Sequence, residues 1–165
     1  QGEMNIVRPY TYTARKPVVN GVVNPNNGKP TNNYVHFSQS LAHPWGANFE
    51  EFLGIVNYTW NRFDFRGQFT YGYYGLDPQG MNYGKNILLP YDTRVSDYGN
   101  HIGQGITTKL FYGDLTAAYV LNRKYNLRIE TGLTLRSENN TAGNNSTAII
   151  SFGLRSSFRN LYYDF

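Results

Sequence analysis

The 165-residue sequence contains no cysteine, and only 16% of its residues are charged. The lack of cysteine excludes a disulfide framework and thiolate metal sites. The net charge is +4, but the basic residues are scattered, and Arg15-Lys16 and Arg123-Lys124 are the only adjacent pairs. No basic stripe of the kind that binds nucleic acid is present. We therefore expect no nucleic-acid partner.

The sequence also lacks any apolar run that approaches the roughly 18 residues of a membrane helix. Its first residues, Gln1 to Met4, do not form a basic segment followed by an apolar one, which is the pattern of a secretory signal. If the protein is exported, we expect that its leader has been removed or that the chain is an internal piece.

Aromatic residues and period-two patterns are abundant, with 15 tyrosines and 10 phenylalanines. The clearest pattern runs from Leu127 to Arg136, where leucine and isoleucine alternate with charged residues and threonine. Such alternation predicts a strand with one apolar and one polar face. Similar patterns predict further strands at Ala47 to Trp60, Phe63 to Gly75, Ile106 to Leu121 and Thr147 to Phe158, with a weaker one at Glu3 to Thr13.

The connections between these strands differ in length. Short turns at 61–62 and 122–126 alternate with polar loops at 14–46, 77–105 and 139–146. Outer-membrane barrels have short periplasmic turns and longer extracellular loops, so we expect the loops to be extracellular. Aromatic residues fall near both strand ends, as they do in the girdles at the two membrane interfaces.

These features predict an all-β fold: an antiparallel, up-and-down transmembrane β-barrel segment of about six strands. Barrels of this type start at about eight strands, because an open edge in lipid leaves backbone groups unpaired. We therefore expect the remaining strands to come from a longer chain or from a partner.

Two sets of residues are candidates for function. Charged residues on the polar faces are expected to point into the lumen, where they would bind anionic sugars, set pore selectivity, or simply pair with one another. They are Asp64, Arg66, Arg128, Glu130, Arg136 and Arg155. Aromatic residues of the long loops would either contact a polysaccharide or pack the loops together. They are Trp45, Tyr83, Tyr91 and Tyr98.

A histidine site is a weaker hypothesis. His43 and His101 lie in the loops, where Asp92, Asp97 and Glu50 would have to approach them to form a metal or hydrolytic site. No histidine spacing supports ligation, and local hydrogen bonding is the favoured interpretation. We therefore predict no catalytic residues, no metal and no cofactor.

Several segments together resemble a known family. They are Leu-Ala-His-Pro-Trp-Gly-Ala-Asn-Phe-Glu-Glu (Leu41 to Glu51), Asn-Tyr-Gly-Lys-Asn-Ile (Asn82 to Ile87), Asp-Tyr-Gly-Asn-His-Ile-Gly-Gln-Gly (Asp97 to Gly105), Val-Arg-Pro-Tyr-Thr-Tyr (Val7 to Tyr12) and the final Tyr-Tyr-Asp-Phe. They resemble the C-terminal part of Bacteroidota outer-membrane barrels of the gliding-motility RemB-like type, related in architecture to the capsule-assembly Wzi family. The resemblance implies that residues 1–165 are the C-terminal portion of a larger outer-membrane barrel.

The resemblance also implies a role in surface-polymer attachment or export, or in gliding. We expect this role to be non-enzymatic, with outer-membrane lipid as one partner and surface polysaccharide or other outer-membrane proteins as further candidates. Three alternatives stay open. The first is a transport or protein-secretion barrel with a charged lumen, and the second is a barrel hydrolase that uses His43 or His101. The third is a soluble β-sandwich or lipocalin-like barrel, in which protein would bury the apolar faces.

Overall fold

The computed structural model describes residues 1–16, 18–19, 22–23, 33–37 and 39–157. They form β-strands and one single-turn 3₁₀ helix, Tyr91–Thr93, with no α-helix among them. No helix in this part of the chain is long and apolar enough to cross a membrane. The strands are β1 (Gly2–Val7), β2 (Val18–Val19), β3 (Val22–Val23), β4 (Val35–His36), β5 (Gln39–Ser40), β6 (Phe49–Trp60), β7 (Phe63–Leu76), β8 (Ile106–Asn122), β9 (Leu127–Asn140) and β10 (Gly143–Arg155).

Six of these strands form one antiparallel sheet in the order β1-β6-β7-β8-β9-β10. Each strand pairs with its sequence neighbour in the sheet, so the topology is up-and-down. The prediction of an all-β, antiparallel, six-stranded arrangement is confirmed. Within the described residues, β1 and β10 do not pair with each other, so the sheet is open and no closed barrel is seen.

The strand register sorts the side chains onto two faces, because residues opposite each other in an antiparallel pair point to the same side. On one side, Phe69 of β7 lies opposite Gly54 and Gly113, and Leu133 lies opposite Leu115 and Ile150. We call this side the apolar face. The opposite side carries the alternating charged and hydroxyl residues, and we call it the polar face.

The predicted first strand is too long. β1 ends at Val7, whereas the alternation suggested a strand through Thr13. Pro9 cannot donate a ladder hydrogen bond, and Tyr10 adopts a φ of 63°, which turns the chain away from the sheet. Tyr10 is consequently buried under the loops instead of sharing a face with Met4.

The predicted polar turn at 139–146 is also wrong. β9 and β10 continue through it, with Asn139 opposite Asn144 and Ser137 opposite Ser146. The turn is therefore only residues 141–142, and the Asn140 Oδ1 atom accepts hydrogen bonds from the backbone N–H groups of Ala142 and Gly143 at 2.9 and 3.0 Å. The sequence pattern does not distinguish these polar strand residues from a turn, because the alternation between apolar and polar residues stops there. The end of the predicted last strand, Phe158, lies outside the described residues.

The other sheet connections follow the prediction. The turns at 61–62 and 123–126 lie at one end of the sheet, which we call the turn end. The described parts of segment 8–48 and residues 77–105 lie at the other, which we call the loop end. Among the described residues, most buried hydrophobic side chains lie at the loop end, namely Tyr10, Ala47, Phe49, Tyr74 and Ile87, while buried Ala118 lies in β8 away from it. The small core therefore lies where the loops meet the sheet.

The apolar face is uncovered in the described part of the chain. Ile150 and Phe152 of β10 are each 80% exposed, and Leu115 in the middle of the sheet is 57% exposed. No second sheet or helix among the described residues packs on these side chains. The soluble β-sandwich predicted as an alternative would bury them, and the described residues supply nothing that does.

Candidate functional site

The loop end is built around Asn48, a fully buried residue directly before β6. Its Nδ2 atom donates to the carbonyl oxygens of Gly75 and Gln104 at 3.2 and 3.0 Å, and its Oδ1 atom accepts from the N–H of Gly103 at 2.8 Å. Its φ of 59° is one that asparagine tolerates better than most residues. One amide side chain thus joins β6, β7 and the end of the 77–105 loop.

A second pair of side chains shapes the interior of that loop. The carboxylate of Asp77 accepts backbone hydrogen bonds from Tyr83 and Asn86 at 2.7 and 2.8 Å. Asn82, almost fully buried, donates to the Pro90 carbonyl at 3.0 Å. Its own carbonyl accepts from the Tyr10 hydroxyl at 2.8 Å. Loops tied in this way behave as packed units with defined surfaces.

Lys85, in the same loop, extends its ammonium group over three aromatic rings. The Nζ atom lies 4.6 Å from the ring centre of Tyr74, 5.4 Å from that of Phe49 and 5.8 Å from that of Trp45. Such contacts stabilise a cation through the negative ring faces. Lys85 takes part in none of the ion pairs of the described residues.

Burial shifts the titration of this ammonium group. Removal from water lowers the pKa of Lys85 to about 8 from its usual 10.5, and the carboxylate of Asp77 opposes that change. Desolvation disfavours the charged form of a lysine. The aromatic rings therefore hold a cation that has lost part of its hydration without gaining a carboxylate partner.

Trp45 lies flat enough against β7 to require a glycine beneath it. A Cβ atom on Gly72 would lie 2.4 Å from the indole Cη2 atom. The Trp45 ring also meets the edges of Phe49 and Tyr74, with ring centres 5.6 and 5.4 Å apart. The indole is thereby fixed at the loop end, above the polar face of the sheet.

Trp45 and Lys85 together line a cavity of about 530 Å³ between the loop segments. Its wall is mixed, with aromatic and aliphatic groups beside amides and a hydroxyl. The Ser40 Oγ atom is buried and has no hydrogen-bond partner among the described residues. Residues that line the cavity include Gln39, Ser40, Trp45, Lys85, Asn86 and Ile87. We call this space the loop cavity.

The histidine hypothesis is not supported by the geometry. The Nε2 atom of His43 lies 2.9 Å from the Oε2 atom of Glu51, whereas Glu50 belongs to the opposite face, across from Tyr73. His101 contacts only the nearby Gly99 carbonyl through its ring. No group of three or more potential metal ligands comes together in the described residues.

Asp92 and Asp97 have other partners. Asp92 accepts a hydrogen bond from the backbone N–H of Lys16 at 2.8 Å, and Asp97 pairs with Arg94. Neither carboxylate completes a site with the histidines. Local hydrogen bonding accounts for these loop residues.

The four predicted contact aromatics occupy different environments. Trp45 lines the loop cavity, and Tyr98 is 88% exposed. Tyr83 is half-buried, and its carbonyl accepts a hydrogen bond from Gln104 at 2.7 Å. Tyr91 meets the edge of Tyr10, with ring centres 5.8 Å apart. Tyr83 and Tyr91 thus pack the loops, while Trp45 borders the loop cavity and Tyr98 is exposed to solvent.

The six predicted inward charges all lie on the polar face, as the alternation required. Asp64 of β7 and Glu130 of β9 both lie directly opposite Ala118 of β8, which separates them. Arg128 pairs with Asp64 at 3.2 Å, and Arg155 lies 3.6 Å from Glu130. These pairs span β7, β9 and β10, so the charges largely satisfy one another across the sheet.

Two arginines stand apart from those pairs. Arg66 takes part in no ion pair of the described residues, although it lines a polar hollow of about 330 Å³ with Asp64, Arg128, Glu130 and Arg155. Arg136 lies nearer the loop end and pairs with Glu138 on its own strand. Five of the six predicted charges therefore form one cluster near the turn end.

The apolar face carries an aromatic band at the same height as the short turns. Phe63 lies 5.0 Å from Tyr119 and 6.2 Å from both Trp60 and Phe65, measured between ring centres. Trp60 is 64% exposed. A second group, Tyr71, Tyr73 and Phe111, lies toward the loop end on the same face. Phe49, at the loop end of β6, faces the opposite side and is buried against Trp45.

Sequence reasoning missed Lys85, Asn48 and Asp77. Lys85 lies in the segment Asn82 to Ile87 but is an isolated lysine in a polar loop, which carries no spacing signal. Comparison with known protein families, with curated proteins and with solved structures finds no match to this chain.

Proposed function

We propose that this chain is part of an outer-membrane β-barrel, with the apolar face toward lipid and the polar face toward a lumen. The observation that carries the proposal is the continuous apolar face of β6 to β10, which is exposed in the described part of the chain. Soluble monomers rarely leave so large an apolar surface uncovered. Lipid contact stabilises such a surface, and the ion pairs on the opposite face suit a wet interior.

The spacing of the two aromatic groups supports the same proposal. The segment of β7 from Phe63 to Tyr73 is about 33 Å long at roughly 3.3 Å per residue. Strands of outer-membrane barrels tilt by about 40°, which reduces this span to about 25 Å, close to the height of their apolar band. The two aromatic groups would then lie at the two membrane interfaces.

Within the barrel, we assign the function to the loop end. The proposed function is attachment or export of a surface polymer, or gliding, and it involves no enzymatic activity. Its 77–105 loop is long but internally hydrogen-bonded and tied to β6, and this loop and the segment around Trp45 border the loop cavity. Rigid loops on a sheet scaffold are a common place for binding. The resemblance to surface-polymer barrels favours polysaccharide as the partner. Polysaccharide chains outside the cell would meet the loop end first, because the loops are proposed to be extracellular.

Trp45 and Trp60, the only two tryptophans, provide the test. Variants Trp45→Phe and Trp60→Phe leave one indole each, and the protein is placed in vesicles whose lipids carry bromine at defined depths. We expect bromine near the headgroup region to quench Trp60 strongly and Trp45 weakly. Equal and weak quenching of both would show that the apolar face does not meet lipid.

A conducting transport or secretion barrel is the second candidate. The observation that favours it is the charged hollow around Arg66, where one arginine has no acidic partner among the described residues. An ion pathway lined by such charges would conduct in planar bilayers. Arg66→Glu should then reduce anion selectivity, whereas a filled lumen gives no current with either protein.

A further inference from the structure

We propose that the loop cavity binds an acidic sugar unit, with the sugar carboxylate paired to Lys85 and the sugar ring against Trp45. This inference rests on the proposed surface-polymer function and specifies its ligand class and its contact residues. It adds a residue that no sequence pattern indicated, since Lys85 is the cation of the cavity.

The position of the ammonium group favours an anion. Three aromatic rings surround the Lys85 Nζ atom within 6 Å, and none of the ion pairs of the described residues includes it. A cation withdrawn from water gains most from a carboxylate that approaches it directly. Since Lys85 also lines the cavity, such a carboxylate has a route to it.

The groups around Lys85 do not supply that partner. Asp77 acts on the Lys85 ammonium group only through its field, because its two oxygens accept the backbone N–H groups of the loop, including that of Lys85. Glu51 is paired with His43, whose ring packs 4.5 Å from that of Phe49. Tyr74 contributes its ring face. The ligand must therefore bring the negative charge.

The rest of the wall suits a sugar more than a fatty or aromatic acid. A pyranose has apolar C–H faces and a polar hydroxyl edge, and aromatic side chains such as tryptophan combine an apolar face with a polar group. Asn86 and Gln39 offer amides along the cavity, and the buried Ser40 hydroxyl lacks a partner among the described residues. A purely apolar acid would leave that hydroxyl unsatisfied, which is unfavourable.

The test uses an oligogalacturonate as the acidic probe and its methyl ester as a neutral ligand of the same shape. Binding to the protein in detergent is followed by calorimetry near pH 7. We expect the acid to bind about tenfold or more tightly than the ester, and Lys85→Met to remove that difference, because hydrogen bonds to charged groups are among the stronger ones. Trp45→Phe should weaken both ligands.

Two further variants separate this role from a structural one. Lys124→Met removes an exposed lysine at the turn end and should change nothing. In the original protein, affinity for the acid should fall by about tenfold per pH unit above the Lys85 pKa, because one proton is linked to binding. Lys85→Arg keeps its charge at high pH and should bind the acid at pH 9.5 as it does at pH 7.

The outcomes distinguish this inference from the proposed function. Equal affinity for acid and ester, no binding of either, or an unchanged preference in Lys85→Met overturns the acidic-sugar site. If the bromolipid experiment nevertheless places Trp60 in lipid, the membrane proposal stands without it. Binding of the acid with the expected dependence on Lys85 supports the site even if quenching fails.

Discussion

Asn48 shows how much of the loop end depends on one side chain. Asn48→Ala leaves the buried carbonyls of Gly75 and Gln104 and the buried N–H of Gly103 without a partner. It also places alanine at a positive φ, which alanine tolerates less well than asparagine does. Since an unsatisfied buried group costs about 1–3 kcal/mol, we expect a loss of roughly 2–3 kcal/mol in the free energy of unfolding, measured with urea in detergent. Asn48→Gly, which tolerates the φ, should recover only part of it.

The control for that experiment is Asn100→Ala. Asn100 makes one exposed hydrogen bond, to the Ser96 carbonyl at 3.1 Å, and its loss should change stability by less than about 0.5 kcal/mol. A similar effect of both substitutions would contradict the central role given to Asn48.

The lowered pKa of Lys85 should make the free energy of unfolding depend on pH, and the direction of the shift sets the sign of that dependence. Between pH 8 and 10.5 the unfolded chain keeps a proton that the folded chain has lost, so the free energy of unfolding should rise with pH in this range. Lys85→Met should lack this rise. Unfolding of both proteins is compared at pH 7.5 and 9.5, below the raised pKa of the buried Tyr10 hydroxyl.

Parallel pH profiles of the two proteins would show that Lys85 is not desolvated. Because the other lysines and tyrosines titrate in both proteins, the difference between the profiles isolates residue 85. The effect is independent of any ligand and therefore tests the geometry alone.

At the residue scale, the sequence predicted the polar face well and the loop end poorly. Arg66 and Glu130 could be placed on one side because a strand alternates strictly. Asn48 and Lys85 could not, since their partners lie more than 25 residues away or on several elements, and only the path of the loops brings them together.

At the scale of elements, β7 and the segment that carries Trp45 depend on close contact at Gly72. Gly72→Ala would bring a Cβ atom against the indole, and we expect Trp45 to move outward with a red-shifted emission in a Trp60→Phe background. The control is Gly153→Ala, because a Cβ atom there meets nothing within 4 Å. Unchanged emission in the Gly72 variant would contradict the contact.

The strands themselves were predicted nearly to the residue where tight turns bound them. β7 begins at Phe63, directly after the turn at 61–62, and β9 begins at Leu127, directly after the turn at 123–126, both as expected. The errors fall where the alternation gives no signal: in β1, Pro9 and Tyr10 redirect the chain, and in β9 to β10 polar residues continue the ladder. Periodicity indicates which face is apolar, but not where a polar strand stops.

The apolar face yields a prediction that separates lipid from water. Leu115 lies in the middle of β8, and a lysine at the bilayer midplane costs about 2–4 kcal/mol. In water, an exposed leucine can be replaced for about 0.5 kcal/mol or less. We therefore expect Leu115→Lys to destabilise the protein strongly in lipid vesicles, as measured by urea unfolding.

Thr134→Lys is the matched control on the polar face. Thr134 donates to the Asp114 carboxylate at 2.7 Å, so a lysine there keeps an acidic partner and should be tolerated. Equal effects of the two substitutions would mean that lipid does not distinguish the faces.

At the scale of the whole molecule, the two edges of the sheet, β1 and β10, determine where further strands must pair. Every residue of β10 is exposed, and its outer edge has no strand partner in the described residues. In hydrocarbon each unpaired backbone group costs several kcal/mol, so the proposed membrane position requires further strands beside β1 and β10. Alternation within a strand carries no information on how many strands close the sheet, which is why sequence reasoning left the barrel size open.

A sheet that spans a membrane must place its two ends on opposite sides. Trypsin sites at Arg62, Arg123 and Lys124 are exposed at the turn end, whereas Arg15 lies at the loop end. In sealed outer-membrane vesicles, which have one orientation, we expect added trypsin to cut at the loop end, at Arg15, and to leave Arg62, Arg123 and Lys124 intact. Detergent should make these three turn-end sites accessible to trypsin. Cleavage of single molecules at both ends without detergent would show that the sheet does not cross the bilayer, since no closed spanning arrangement exposes both ends to one compartment.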